Sequence, residues 1–206
     1  MNLIRFHAGL FKANCYIIWK GNEALVIDPG GSYDRIVAEA KSVGTTITDV
    51  LLTHGHFDHA GAAARLMRDG ARVYIHEKDY DKCFTDKNLG KEIAGVDFDA
   101  FTPTAALKDG DVLNLAGFEV KVVHTPGHTE GSVCYFIEDC IFSGDTLFRG
   151  SVGRTDLEGG SLEDLINSLK YRLYSSEKDY TVYPGHLEPT TLFRERDENN
   201  FRLWGK

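Results

Sequence analysis

Short apolar runs rich in β-branched and aromatic residues recur along the chain and predict ten β-strands. Some of these runs are followed by segments of helical spacing, and others by tight turns. They lie at residues 3–6, 15–19, 24–27, 50–52, 72–75, 112–115, 118–123, 132–137, 140–142 and 180–183. Because strands outnumber helices and both kinds of connection occur, the pattern predicts a layered α/β protein with mixed sheets.

Three segments space their apolar residues as amphipathic helices do. The first follows Ser32 as a capping residue, ends at Gly44, and has the apolar stripe Tyr33, Ile36, Val37 and Ala40. The second precedes Gly70 and carries Ala60, Ala63, Ala64 and Met67. The third follows Ser161 as its cap and is expected to be buried through Leu162, Leu165, Ile166, Leu169 and Leu173.

The length of 206 residues suits one compact domain with a core of its own, and we interpret residues 1–206 as a single domain. The net charge is −8, and lysines and arginines are scattered rather than grouped into a basic run. A phosphate backbone would be repelled by such a chain, so we expect no nucleic-acid partner.

The chain shows no signal for export or membrane insertion. Arg5, His7 and Lys12 interrupt the apolar start, which predicts no signal peptide, and no apolar run approaches the roughly 20 residues of a membrane span. No C-x-x-C spacing occurs among Cys15, Cys83, Cys134 and Cys140. We interpret these four as reduced thiols, none of them a metal ligand, and expect a cytoplasmic protein.

Residues 53–59, THGHFDH, carry the strongest chemical signal. His54 and His56 are two apart in an extended turn, so their side chains can point the same way. Asp58 and His59 follow where the chain tightens into a helix. Imidazole nitrogen and carboxylate oxygen suit zinc, iron or manganese. Surface histidines beside an aspartate are the alternative, but so dense a group favours a metal site.

Three more segments place a potential ligand just past a predicted strand and beside a glycine. They are TPGHT with His128, SGDT with Asp145, and PGH with His186. Open α/β sheets build their sites at this end of their strands. A lone histidine after a strand is more often an ordinary loop residue, but three such cases favour a shared site.

The ligands divide into two sets with one bridge. One set is His54, His56 and His128, the other is Asp58, His59 and His186, and Asp145 can bridge two divalent ions. The two aspartates cancel only part of the metal charge, so we expect a bridging hydroxide as nucleophile. The candidate catalytic residues are therefore Asp58, His59 and Asp145. No Ser or Cys nucleophile is needed, and a Gly-x-Ser-x-Gly motif is absent.

The remaining polar residues of interest are Asp28 and three histidines. Asp28 ends a predicted strand and can hold a metal-bound histidine by a hydrogen bond. A turn-forming aspartate before Pro29 is the alternative. We interpret His7, His76 and His124 as structural, because none of them belongs to a second motif.

The segments THGHFDHAG, TPGHT, SGDTLF, GSVGRTD and YPGH together resemble the metallo-β-lactamase superfamily, and more narrowly its single-domain, glyoxalase II-like hydrolases. The resemblance covers residues 14–188. It implies a four-layer αβ/βα sandwich with two mixed sheets and the metals at one sheet edge. It also implies two divalent ions, zinc first with iron or manganese as alternatives, and a small-molecule thioester substrate such as S-D-lactoylglutathione.

This chain departs from the glyoxalase II pattern at two places. Gly55 and Phe57 stand where that family has His and Trp, but neither is a ligand. Only 20 residues follow His186, so we expect the helical domain that binds glutathione there to be missing. Asp145 in place of Cys argues against the β-lactamases with a cysteine ligand, and His56 in place of Glu argues against flavodiiron proteins.

Three other functions stay open at this point. A persulfide dioxygenase would use one iron at a site made from His54, His56, His128 and Asp145. A lactonase or another ester hydrolase of the same superfamily comes next. A non-catalytic metal-binding module belongs to a different class, and a set of seven ligands argues against it. The residues leave open the metal, the acyl group, the thiol and the oligomeric state.

Residues 84–104 form the longest irregular stretch and predict a flap over the metals. Phe84, Phe98 and Phe101 would contact the substrate, while Lys87 and Lys91 would meet a carboxylate. In the alternative interpretation, the phenylalanines only anchor a surface loop to the core.

Overall fold

The computed structural model of the protein describes residues 1–201, and in them twelve β-strands form two six-stranded sheets. The first sheet contains β1 Asn2–Ala8, β2 Ala13–Lys20, β3 Glu23–Ile27, β4 Thr46–Leu51, β5 Arg72–His76 and β6 Ala105–Leu107. The second contains β7 Val112–Leu115, β8 Phe118–His124, β9 Val133–Ile137, β10 Cys140–Gly144, β11 Thr181–Pro184 and β12 Thr190–Thr191.

Both sheets are mixed, as the sequence predicts. In the first sheet the strand order follows the chain, with β1, β2 and β3 antiparallel and β3 to β6 parallel. In the second sheet the order is β12-β11-β10-β9-β8-β7, and only the β10–β11 pair is parallel. Parallel neighbours align their carboxyl ends, so the loops that follow β3, β4 and β5 leave the same edge of the first sheet.

The helices lie against the outer faces of the two sheets. They are α1 Tyr33–Ser42, α2 Phe57–Ala60, α3 Ala63–Arg68, α4 Leu162–Asn167 and α5 Leu192–Glu198. Short 3-10 helices cover Glu77–Cys83 and Asp86–Asn88, and π-helical turns cover Gly90–Ala94 and Ser168–Leu173. Within the described part of the chain, no helix is both long and apolar enough to cross a bilayer.

Strand alternation builds the layers. On β3, Val26 faces a core shared with Ile36 of α1, while its neighbour Leu25 faces a core between the two sheets. On β10, Phe142 enters that same central core, and Ile141 faces a third core under α4 and α5. The order is therefore helix, sheet, sheet, helix, which confirms the four-layer α/β sandwich.

Some elements differ from the sequence prediction. The strands β6 and β12 were not predicted, because runs of three and two residues are too short to show a period. The second predicted helix is two short helices, α2 and α3, separated by Gly61 and Ala62. The third continues α4 into a π-helical turn; Leu165, Leu169 and Leu173 are buried as predicted, whereas Ile166 is half-buried and Leu162, at the start of α4, is exposed.

The two predicted caps have different outcomes. The Ser161 hydroxyl accepts a hydrogen bond from the amide of Asp164 at 3.2 Å, so it caps α4 as predicted. Ser32 precedes α1 but adopts a left-handed conformation, with φ of 57°, and its side chain does not cap the helix. Its hydroxyl instead accepts from the amide of Gly9 at 3.3 Å. The capping prediction for Ser32 is wrong because the hydroxyl serves a neighbouring turn.

Candidate metal centre

The loops at the carboxyl ends of four strands bring the sequence-predicted ligands together. The THGHFDH segment follows β4 and runs into α2, while His128, Asp145 and His186 lie just beyond β8, β10 and β11. The potential ligands form three sets, and within each set the ligand atoms lie within 4.8 Å of one another. These sets are His54, His56 and His128; His54, His59 and Asp145; and Asp58, His59 and His186.

The first group consists of three buried imidazoles. Nδ1 of His56 lies 3.0 Å from Nε2 of His128, and the His54 ring is 4.7 Å from each of their rings. The rings meet nearly at right angles, so their nitrogens converge rather than stack. Three converging imidazole nitrogens are a common zinc ligand set.

The second group contains two imidazoles and a carboxylate. Nε2 of His186 lies 3.4 Å from Oδ2 of Asp58 and 3.4 Å from Nε2 of His59. Asp145 lies between the two groups, because its Oδ2 is 3.6 Å from Nε2 of His128 and 3.6 Å from Nε2 of His186. A single carboxylate therefore reaches both groups, as a bridging ligand requires.

Hydrogen bonds behind the first group fix where the protons sit. The Thr53 hydroxyl donates its single hydrogen to Asp28 at 2.7 Å, so its oxygen accepts from Nδ1 of His54 at 3.1 Å. Nδ1 of His128 donates to the carbonyl of Arg154 at 2.7 Å. Both rings therefore keep the lone pair on Nε2, which is the state that binds a cation.

Unpartnered buried atoms test whether the residues suit a metal. Nε2 of His54, Nε2 of His56 and Oδ1 of Asp145 are buried without a hydrogen-bond partner. Such atoms cost free energy in a folded protein unless something satisfies them. A cation held by His54 and Asp145 would satisfy two of these atoms, so this His/Asp cluster fits metal ions.

The two groups differ in their electrostatics. Burial, reinforced by the neighbouring imidazoles, lowers the pKa of His54 and His56 well below the ordinary histidine value. Burial also opposes charge on His59, but the carboxylates of Asp145, Asp58 and Asp28 outweigh it and raise the His59 pKa to about 10. Against the effect of its own burial, the histidines around Asp58 lower its pKa. His54 and His56 are therefore neutral imidazoles, and Asp58 is an ionised carboxylate beside them.

Asp28 makes the contact that the sequence suggested. It is buried at the end of β3, and its Oδ2 accepts a hydrogen bond from Nδ1 of His59 at 2.9 Å. Its Oδ1 accepts from the amide of Thr53 at 2.8 Å. Asp28 thus orients one predicted ligand directly and another, His54, through Thr53.

Comparison with known proteins identifies the family. The model of the metallo-beta-lactamase superfamily matches residues 8–186. The probable metallo-hydrolase YqgX of Bacillus subtilis is 36% identical, over 96% of this chain and 95% of its own. The hydroxyacylglutathione hydrolase GloC of Haemophilus influenzae is 33% identical, over 98% of each chain. The chain belongs to the metallo-β-lactamase superfamily.

Solved structures of the superfamily agree with this fold. The B3 metallo-beta-lactamase BLEG-1 superposes with a TM-score of 0.92 at 32% identity, over 97% of this chain and 99% of that one. TTHA1623 in a di-iron-bound form gives a TM-score of 0.83 at 34% identity, over 96% and 99%. Family and relatives together support a metallo-hydrolase.

Within this metallo-β-lactamase fold, Asp79 joins two ligand loops, a role that no motif in the sequence predicted. It is fully buried in the 3-10 helix after β5, and its Oδ2 accepts from the amide of Gly55 at 2.9 Å and the hydroxyl of Thr129 at 2.8 Å. Its Oδ1 accepts from the amide of Gly131 at 3.0 Å. One carboxylate thus holds both the loop of His54 and His56 and the loop of His128.

The glycines beside the predicted ligands serve two purposes. The backbone of Gly127 and Gly144 has positive φ, of 141° and 48°, as tight turns require. Gly55 and Gly185 do not adopt positive φ and are needed for close approach instead. A Cβ at Gly185 would collide with Asp145 and His59, and one at Gly55 would lie 2.5 Å from Cβ of Lys82.

Two of the histidines interpreted as structural meet outside the cluster. The rings of His76 and His124 stack at 4.2 Å with an interplanar angle of 9°, joining the ends of β5 and β8 across the two sheets. His7 is exposed on β1. All four cysteines are free thiols, and the metal-capable groups of the described residues contain none of them.

The segment 84–104 contacts the site, but not through the residues named from the sequence. Phe98 and Phe101 pack on the core, and Phe84 is exposed. Lys87 pairs with Asp81 and Lys91 with Asp97. Two other residues of the segment, Leu89 and Ile93, line the cavity over the His/Asp cluster. Phe98 and Phe101 are therefore anchors, none of the three phenylalanines lines the cavity, and the assignment of substrate contacts to them is wrong.

Proposed function

We propose that this chain hydrolyses a thioester, S-D-lactoylglutathione or a related acyl-thiol, with two divalent metal ions. Zinc is the first candidate, with iron or manganese as alternatives. The observation that carries the proposal is the position of Asp145 between two groups of ligand atoms. The name of the GloC relative, a hydroxyacylglutathione hydrolase, supports the thioester.

The proposed ligands of the first ion are His54, His56 and His128, those of the second are Asp58, His59 and His186, and Asp145 serves both. Metal ions bound there would acidify a water molecule and polarise the thioester carbonyl. In the overall reaction the water oxygen bonds to the acyl carbon, the carbon–sulfur bond breaks, and a carboxylate and a thiol leave.

The protein contributes orientation and charge. Thr53 and the carbonyl of Arg154 keep protons on Nδ1 of His54 and His128, so their Nε2 atoms face the cluster. Asp28 aligns His59 by its hydrogen bond to Nδ1. The carboxylates of Asp58 and Asp145 place negative charge in the second group. This division of labour is the basis for proposing Asp58, His59 and Asp145 as catalytic residues.

The test combines metal analysis with a substrate panel. Purified protein should bind close to two ions per chain and release thiol from S-D-lactoylglutathione at a rate that depends on the ions. The panel also includes a lactone, a simple ester and a β-lactam, since the BLEG-1 structure is that of a lactamase. Faster turnover of any of those three than of every thioester would overturn the proposal.

A mononuclear-iron persulfide dioxygenase is the second candidate. Its single iron would be held by His54, His56, His128 and Asp145, and Oδ2 of Asp145 lies 3.6 Å from Nε2 of His128. That function requires one iron per chain and oxygen uptake with glutathione persulfide. An oxygen electrode distinguishes it from hydrolysis, which consumes no oxygen.

A further inference from the structure

The cavity over the His/Asp cluster has a volume of about 370 Å³ and is mainly apolar apart from the proposed ligands themselves. Five of its lining side chains are proposed ligands. The apolar ones are Phe11, Phe57, Leu89, Ile93, Phe148 and Leu157. Such a wall attracts the non-reacting carbon atoms of a substrate, because apolar surface leaves water there.

Separate segments of the chain assemble this wall and hold it in place. Phe11, in the turn after β1, packs edge-on against Phe57 at the start of α2, with ring centroids 5.3 Å apart. A Cβ added to Gly90 would lie 3.2 Å from Cβ of Phe57, so the backbone next to Leu89 packs directly against the Phe57 side chain. Ile93 follows on the π-helical turn and is 42% exposed at the cavity.

The cavity offers little to a charged substrate. Among the described residues that line it, Arg154 is the only lysine or arginine. Its Nε and Nη2 donate to the two carboxylate oxygens of Asp156 at 2.7 and 2.8 Å, a bidentate pair that neutralises the guanidinium. Lys87 and Lys91 line other hollows. A glutathione thioester carries two carboxylates and an ammonium. Apart from the proposed ligands, the cavity wall offers these groups no charged side chain that is not already paired.

We propose that the site prefers acyl-thiols that are uncharged and apolar on both sides of the thioester, and that Phe11 and Ile93 determine this specificity. The inference rests on the proposed thioesterase function and, within its substrate class, favours related acyl-thiols over S-D-lactoylglutathione. A medium-chain acyl group on a small neutral thiol is the substrate that fits the wall. Glutathione thioesters are then the poorer substrates.

The experiment uses four thioesters that cross two acyl groups with two thiols. Hexanoyl and D-lactoyl are each joined to N-acetylcysteamine and to glutathione, and kcat/KM is measured with the metal-loaded enzyme. The hexanoyl ester of N-acetylcysteamine should be the best of the four. Ile93→Ala and Phe11→Ala should each lower its kcat/KM by about 5- to 10-fold, mainly through KM, since they remove apolar contact. The same variants should change D-lactoylglutathione by less than about twofold.

Phe84→Ala is the matched control. Phe84 lies on the same segment as Ile93 and is similarly exposed, at 45%, but it does not line the cavity. It should leave all four substrates unchanged. Preference for glutathione regardless of the acyl group, or an equal loss on all four substrates in Ile93→Ala, would overturn the specificity proposal while leaving the thioesterase function intact.

A binding measurement separates the two proposals if no thioester is turned over. S-hexyl-N-acetylcysteamine and S-hexylglutathione are thioethers that cannot be hydrolysed, and both can be titrated calorimetrically with and without metal. Tighter binding of the neutral thioether, weakened by Ile93→Ala, supports the apolar cavity even when the thioesterase function fails. Equal or reversed affinities would refute the cavity preference directly.

Discussion

Oδ2 of Asp79 accepts a hydrogen bond from the amide of Gly55 at 2.9 Å, which places a buried carboxylate directly behind the loop of His54 and His56. The other oxygen accepts from the amide of Gly131 in the loop of His128. Residues that orient metal ligands without touching the metal often change metal affinity by about 10- to 100-fold when they are replaced. Asp79 holds the loops that carry all three imidazoles of the first group, so we expect it to affect metal affinity there.

Asp79→Asn should therefore weaken metal binding in the first group by about tenfold or more. The amide keeps the size of the side chain but cannot accept at both ends. The dissociation constant is measured by competition with a chromophoric chelator. Asp81→Asn is the control, because Asp81 lies on the same 3-10 helix and pairs with Lys87 at the surface. A folded Asp79→Asn protein with unchanged metal affinity would contradict the prediction.

Asp145→Ala should lower the occupancy of both metal positions together. Its Oδ2 is equally distant, at 3.6 Å, from Nε2 of His128 and Nε2 of His186, so the loss of this carboxylate affects both groups. Metal content is measured after dialysis against a defined concentration of free zinc. Asp139→Ala removes an exposed carboxylate paired with Lys178 and should leave the content unchanged. Loss from one position only, or stoichiometric iron that persists in the variant, would exclude the bridging role.

The sequence predicted most of the candidate site because the ligands lie in short local motifs. His54, His56, Asp58 and His59 occupy one strand–loop–helix junction, so their spacing along the chain already carries the geometry. Short apolar runs, such as residues 24–27 of β3, made the strands readable in the same way. Local periodicity was sufficient wherever neighbours in sequence are also neighbours in space.

The rest depends on contacts between distant residues. The carboxylate of Asp79 accepts a hydrogen bond from Gly131, which is 52 positions away in the sequence, and no local sequence pattern predicts that contact. His76 and His124 looked isolated for the same reason, since they come from different sheets. In the 84–104 segment, composition indicated the phenylalanines as substrate contacts, but in the folded chain Leu89 and Ile93 line the cavity.

Asp28→Asn should lower kcat by about 10- to 100-fold with a smaller effect on folding. Asn tolerates the left-handed backbone at this position, where φ is 52°, so the turn should survive. The amide cannot replace the carboxylate toward both Thr53 and His59, and His59 loses the partner that aligns it. Turnover and thermal unfolding are measured on the same preparation. A parallel loss of folded protein and activity would make Asp28 a structural residue only.

The stacked histidines predict how stability depends on pH. The pKa of His76 is lowered to about 4, mainly because the ring is buried and also because His124 and Lys78 lie nearby. Asp109 and Asp111 have a smaller, opposite effect on this pKa. The ordinary histidine value, about 6.5, applies in the unfolded chain. Between these values the unfolded state binds the proton more tightly than the folded state does.

The free energy of unfolding should therefore fall as the pH drops from about 6.5 to about 4, by up to roughly 3 kcal/mol, and His76 should contribute no further loss below that range. Urea denaturation of the metal-free protein at successive pH values measures this slope. His76→Gln should flatten it by removing the group, whereas His7→Gln, at an exposed position, should not. If wild type and His76→Gln lose stability with the same slope, groups other than His76 control the acid response. A histidine that stays neutral in the folded state takes up a proton on unfolding, so removing it must reduce the slope.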